Sequence, residues 1–316
     1  MATTKQAAVP SLIKAVRIMQ YGGSEQLKYQ EVPLPEIDTD HVLARVRYAG
    51  VNPVDWKIRE GDMKQVFPVS FPLTVGHDFA GEIVNVGGDS SRVRTGERVF
   101  GFGEGTYAEF TAAVVTDIAA IPEKIDFAVA AALPTAGLTA LQAIRDYVRL
   151  KPGIRILIHG AAGSVGSFAT QIAQVWGAEV IGTASGEDAI YLRSIGHVQI
   201  VDYKQERFEA VGQVDAVLDL IGGETATRSY AVVKKGGVIV STLGAANAEL
   251  GARAGIRSAN VAMKRSAADL LELARLVERG DVKPRMGEVF PLEQAREAQD
   301  ASQNGRAKGK ILLKVG

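Results

Sequence analysis

The stretch Gly160-Ala161-Ala162-Gly163-Ser164-Val165-Gly166 is where residue type and spacing point most clearly to chemistry. Small side chains let a backbone come close to whatever it holds. The run before it, residues 155–159, has strand composition. After it, apolar residues recur at Val165, Phe168, Ala169, Ile172, Ala173 and Trp176, the spacing of one helical face. A glycine turn between strand and helix leaves backbone N–H groups unpaired at the helix start, with the helix dipole behind them. That combination favours a diphosphate. The spacing fits the dinucleotide pattern with Ala161 in the first glycine position. Gly163 would let the backbone approach a pyrophosphate, and Gly166 would let the helix pack close to the strand.

An acid ending the next strand would hold a ribose diol and reject a 2′-phosphate. Residues 179–184 read as that strand, and it ends Gly182-Thr183-Ala184-Ser185 with no acid. A small hydroxyl leaves room for the phosphate and can donate to it, so NADPH is favoured over NADH. Glu187 and Asp188 lie just beyond, where a base would help more. Both acids also suit the first turn of a helix, whose dipole they complement.

The elements that must position this turn form an α/β pattern. Strands are predicted at 155–159, 179–184, 198–202, 216–221, 238–243 and 257–263, with helical segments between most of them. They are continuous Val/Ile/Leu runs, as in a doubly wound parallel sheet covered on both faces. Upstream, to about residue 124, short strand-like runs at 15–19, 42–48, 81–86, 98–100 and 108–111 alternate with turn residues, a β-rich texture. Residues 127–144 are uncharged, but Pro134 and Gly137 interrupt them and large aliphatics are few, so a buried helix pair is expected rather than a membrane span. The tail reads as a helix from Ala267 to near Gly280, another at 293–302, and a strand at 310–315 that returns to the first domain. The expected division is therefore 1–128, 129–265 and 266–316.

Composition narrows the partners. The 316 residues carry 36 Lys+Arg and 36 Asp+Glu, a net charge of zero that gives no electrostatic reason to bind nucleic acid or an anionic membrane. The absence of cysteine removes disulfides, thiol nucleophiles and thiolate-held metal. The polar start has no apolar leader, so a cytoplasmic protein is expected. His41 and His197 are expected on loops, and no Ser/His/Asp arrangement supports hydrolysis.

The segment Gly50-Val51-Asn52-Pro53-Val54-Asp55-Trp56-Lys57-Ile58-Arg59-Glu60-Gly61 resembles a signature of the medium-chain dehydrogenase/reductase superfamily. So do Pro72-Leu73-Thr74-Val75-Gly76-His77-Asp78-Phe79-Ala80-Gly81, the glycine turn, and Gly309-Lys310-Ile311-Leu312. Within it the chain is similar to the zinc-free quinone oxidoreductase group, which includes alkenal/enone reductases. The resemblance implies a GroES-like catalytic domain built from both chain ends, a Rossmann domain in the middle, NADPH and a homodimer. Zinc-dependent relatives carry a cysteine at Asn52, another near Thr135, and a His–Glu pair at His77-Asp78; no metal is expected here.

Carried over by position, the resemblance places Ala162, Gly163, Ser164 and Val165 at the pyrophosphate, and Ser185 and Tyr203 near the adenosine 2′-phosphate. Leu220 and Leu243 follow the fourth and fifth strands, near the two riboses. Val261, Met263, Arg306 and Lys308 should reach the nicotinamide half or the phosphates, and Thr139 resembles a threonine near the nicotinamide. Without a metal to polarise a simple ketone, hydride transfer suits electron-poor acceptors, quinones or α,β-unsaturated carbonyls. Asn52 is the candidate donor to the substrate oxygen, with Lys57 second. The rival expectations are a crystallin-like nucleotide-binding protein without turnover and a zinc-dependent alcohol dehydrogenase.

Overall fold

The computed structural model describes residues 9–88, 92–305 and 308–316. Two units emerge, one taking the chain up to Pro134 together with Gly287–Gly316, the other taking Thr135–Met286.

The first unit opens with β1 (Leu12–Ile18), β2 (Lys28–Pro33) and β3 (His41–Gly50), followed by helix α1 (Pro53–Glu60). Then come β4 (Leu73–Thr74), β5 (Asp78–Val86), β6 (Arg98–Phe102), β7 (Phe110–Val114), β8 (Ile118–Ala120) and the short helix α2 (Phe127–Ala131). β1 pairs antiparallel with β2 and β4. β3 is the centre of the larger sheet, antiparallel to β5 and β7. Its residues Val42, Ala44 and Val46 join Phe79, Ile83 and Val99 in the core. Burying each of the valine, isoleucine and phenylalanine side chains contributes roughly 1.5–3 kcal/mol. β2 and β4 went unpredicted because little of them is buried: in β2 only Val32 is, so no alternation reaches the sequence. His41 opens β3 rather than lying on a loop.

The second unit begins with α3 (Pro134–Gln142) and β9 (Arg155–Ile158), then α4 (Ser164–Val175), β10 (Glu179–Ala184), α5 (Gly186–Ser194), β11 (Val198–Asp202) and β12 (Val214–Asp219). α6 (Gly223–Arg228), β13 (Val233–Ser241), α7 (Ala248–Ala254), β14 (Arg257–Asn260) and α8 (Ala267–Glu278) complete it. Its six strands lie in the order β11-β10-β9-β12-β13-β14, all parallel. Ile156, Leu157 and Ile158 are fully buried, which is why β9 reads as an unbroken apolar run. This is the doubly wound sheet expected from the sequence. β13 starts earlier than predicted, through the polar Lys234-Lys235-Gly236-Gly237 segment.

The chain then supplies β15 (Met286–Pro291), α9 (Ala295–Gln303) and β16 (Lys310–Lys314). β16 pairs antiparallel with β3, so the tail does return to the first unit. It returns at Gly287 rather than at 266. The reason is α8 and the segment after it. Asp269 accepts from Gln142 and Arg145 at 2.8 and 2.9 Å, and Gln171 exchanges two 2.9 Å bonds with the backbone of Lys283. The other boundary falls at Pro134, since α2 packs against β3 and β5.

Candidate functional site

Two polar constellations stand out, one in each unit. In the second unit, β9 runs into the glycine turn. Gly160 has φ +68°, the left-handed conformation that glycine adopts without strain. The positive φ of the turn thus falls on Gly160, one residue before Ala161, which is fully buried and donates to the Thr183 carbonyl. A Cβ on Gly166 would stand 2.2 Å from the Gly160 oxygen, so only glycine lets α4 approach the strand. Gly163 is the N-cap of α4, and no side chain caps this helix start. Ser164 and Val165 open the helix, where uncapped N–H groups and the dipole favour an anion.

A cavity of about 860 Å³ lies over this turn. Of the residues expected at a nucleotide, Ala162, Gly163, Ser185 and Tyr203 line it. Ser185 is the N-cap of α5 and makes no side-chain capping bond. Leu220, Leu243 and Val261 stand just beyond the carboxyl ends of β12, β13 and β14, the edge where open α/β sheets bind ligands, but they do not line the cavity. The Val261 N–H donates to the Ser241 carbonyl at 2.8 Å, and Met263 follows two residues on, half-buried. Thr139 lies on α3 and donates to the Thr135 carbonyl at 2.6 Å. Lys308 is exposed and belongs to the first unit. Arg306 lies outside the described residues.

Sequence reasoning missed the basic residues of this region. Arg207 lines the cavity beside Tyr203 and Ser185 and is 79% exposed, paired with Glu209 at 3.4 Å. It comes after the third strand, whereas a base was sought after the second. Arg285 donates to the Ala162 carbonyl at 2.7 Å and to Asp188 at 2.8 Å. No local signal links residue 285 to residue 188. His159, at the end of the run read as a strand at 155–159, packs edge-on against Phe208 and bonds Ser229 at 2.9 Å. Burial pushes its pKa down to about 4.

The first unit holds a buried cluster. Asn52 is the N-cap of α1, with Pro53 at the first helical position and Asp55 accepting the Asn52 backbone N–H at 2.8 Å. Asp55 also accepts from Tyr107 at 2.9 Å and lies 3.1 Å from His77 Nδ1. Burial and the neighbouring carboxylate push the Tyr107 phenol well up. The Asn52 amide donates to Asp78 at 2.9 Å. Lys310, only 2% exposed, donates to Asp78 at 2.8 Å and to the Asn52 carbonyl oxygen. Asn52 is thus bonded on both sides, with one amide hydrogen left. Lys57 lies half-buried over the Trp56 ring, 5.5 Å from its centroid.

A catalytic zinc would need three ligands here. Asn52 is a poor one, and the Lys310 ammonium already supplies the cation that Asp78 faces. Among the described residues no group of three His, Asp or Glu side chains could hold a metal ion. The residues at this position do not fit zinc.

Comparison with known proteins gives two family matches. Residues 38–123 match the alcohol dehydrogenase GroES-like domain, and residues 195–313 match the zinc-binding dehydrogenase model. The chain is 31% identical to the quinone oxidoreductase of Mus musculus, over 96% of this chain and 98% of that one. It is 33% identical to the 2-methylene-furan-3-one reductase of Solanum lycopersicum, over 98% of this chain and 81% of that one. Among solved structures it is similar to the quinone oxidoreductase of Coxiella burnetii, with a TM-score of 0.89, 33% identity, and coverage of 96% and 100%.

Proposed function

The chain belongs to the quinone oxidoreductase family of medium-chain dehydrogenases/reductases, and from that premise we propose that it reduces quinones or α,β-unsaturated carbonyls with NADPH, without zinc. The observation that carries this is the uncapped α4 start opening into a cavity that Ser185, Tyr203 and Arg207 share. Ala162, Gly163, Ser164 and Val165 would hold the pyrophosphate through backbone N–H groups. The Ser185 and Tyr203 hydroxyls and the Arg207 guanidinium would hold the 2′-phosphate. Thr139, Leu220, Leu243, Val261, Met263, Arg306 and Lys308 are proposed for the remainder of the nucleotide.

When bound, NADPH supplies a hydride to an electron-poor acceptor. Negative charge then develops on the acceptor oxygen. The remaining amide hydrogen of Asn52 is the proposed donor to it, made more acidic because Lys310 draws on the amide's carbonyl oxygen. Lys57 is the second candidate. We also propose a cytoplasmic homodimer; the six-stranded sheet ends on β14, an edge strand suited to pairing with a second copy. No helix among the described residues is long and apolar enough to cross a membrane.

NADPH consumption with naphthoquinones, short enones, simple ketones and alcohols tests the reaction. Turnover of conjugated acceptors alone is expected; zinc-dependent turnover of ordinary alcohols would overturn it. Nucleotide binding without turnover of any acceptor would instead favour the crystallin-like alternative. Sedimentation and cell fractionation test the assembly and its compartment.

A further inference from the structure

We propose that Arg285 sets the preference for a 2′-phosphorylated nucleotide by neutralising Asp188 at the edge of the cavity. This rests on the nucleotide reading above and extends it to a residue that does not line the cavity. Asp188 stands in the first turn of α5 and lines the same cavity as Ser185 and Tyr203. Left alone, a carboxylate there would repel a phosphate carrying nearly two negative charges. An acid at the end of the second strand is a device by which Rossmann sites exclude that phosphate, and Asp188 stands only four residues beyond the end of β10.

Arg285 answers the acid from behind. Its guanidinium is held at three points. One arm donates to Asp188 Oδ1 at 2.8 Å, another donates to the Ala162 carbonyl at 2.7 Å, and its Cζ lies 4.3 Å from the centroid of the Tyr191 ring. The side chain is only 12% exposed, against 28% for Asp188. The pair is therefore less screened than a surface ion pair. The Ala162 bond fixes the cation against the phosphate turn itself, so one planar fork ties the turn to the start of α5. A lysine, a point charge, could satisfy only one of those two acceptors well.

The segment bearing Arg285 is itself anchored, since Lys283 exchanges two backbone bonds with Gln171 of α4. Arg285 thus reaches Asp188 from the structural frame of the second unit rather than from a free loop. Acting through Asp188, it is a positioning residue, and its effect must appear in the choice between nucleotides.

The test is the dissociation constant of the full-length chain for NADPH and for NADH, read by fluorescence quenching, in wild type, Arg285→Met, Asp188→Asn and the double variant. Arg285→Met should weaken NADPH about tenfold, or ~1.4 kcal/mol, and leave NADH within about twofold. The double variant should return the NADPH-to-NADH ratio to that of wild type, because the acid that needed neutralising is gone. Arg285→Lys should fall between wild type and Arg285→Met. An unchanged ratio in Arg285→Met, equal loss of both nucleotides, or a double variant as poor as Arg285→Met would each overturn the inference while leaving the nucleotide site intact. Wild-type protein that binds neither nucleotide would overturn the underlying reading, and the inference with it.

Discussion

The two units treat charge in opposite ways. In the first, Lys310, Asp78, Asn52 and Asp55 are buried and bonded mainly to one another. In the second, Arg207, Asp188 and Ser185 stand around an open cavity with their polar groups partly in solvent. A closed network orients the groups within it, and a buried charge left unpartnered is costly. Partly solvated groups around a cavity have bonding capacity that a ligand can take up. The contrast separates the proposed scaffold for Asn52 from the proposed phosphate-binding surface.

The largest expected effect tests the closed side. Lys310→Met leaves the Asp78 carboxylate buried without its ammonium and should destabilise the chain by about 3–5 kcal/mol, read by urea unfolding. Adding Asp78→Asn should recover most of that loss. A small effect for the single variant would erase the contrast.

His159 sharpens it from the other side, as a buried titratable group in the wall of the cavity. With its folded pKa near 4 against 6.5 unfolded, the unfolded chain binds the extra proton first. Its contribution is complete above pH 6.5 and is lost as pH falls toward 4, by about 3 kcal/mol. Urea midpoints at pH 7 and pH 4.5 should show a smaller loss in His159→Gln than in wild type.

Gly163→Val addresses the grip alone. Its backbone has φ −68°, which any residue accepts, and an added Cβ would meet only the Gly160 oxygen, at 3.3 Å. Thermal stability should fall only modestly, as the Gly160 oxygen yields by a few tenths of an ångström, while NADPH affinity falls about a hundredfold, or ~2.7 kcal/mol, by calorimetry. Equal losses of stability and affinity would mean that the turn is structural. The smallest effect is expected of Arg207→Ala, which should weaken NADPH about tenfold and spare NADH; titration of both nucleotides reads it.

Much of this was legible in the sequence because it depends on local spacing. The turn from Gly160 to Gly166, the helical face behind it and the apolar runs of β9 to β12 all show within short windows. Ala161 holds the first glycine position of the dinucleotide pattern, and Gly160 just before it carries the positive φ. What stayed hidden depends on distance along the chain. Asp188 looks like an obstacle to a phosphate until Arg285, 97 residues away, comes to it. Lys310 reads as part of a C-terminal signature, and only the antiparallel pairing of β16 with β3 brings it between Asn52 and Asp78. The exposed strands β2 and β15 bury too little for any period to form.

The pairing of β16 with β3 also orders events during synthesis. Lys310 follows Asp78 by 232 residues. A ribosome adding ~5–20 residues per second therefore delivers that ammonium roughly 10–50 s after the carboxylate it must meet. The second unit is a single uninterrupted stretch and has no such wait. On the ribosome, the middle of this protein is free to mature before its beginning does.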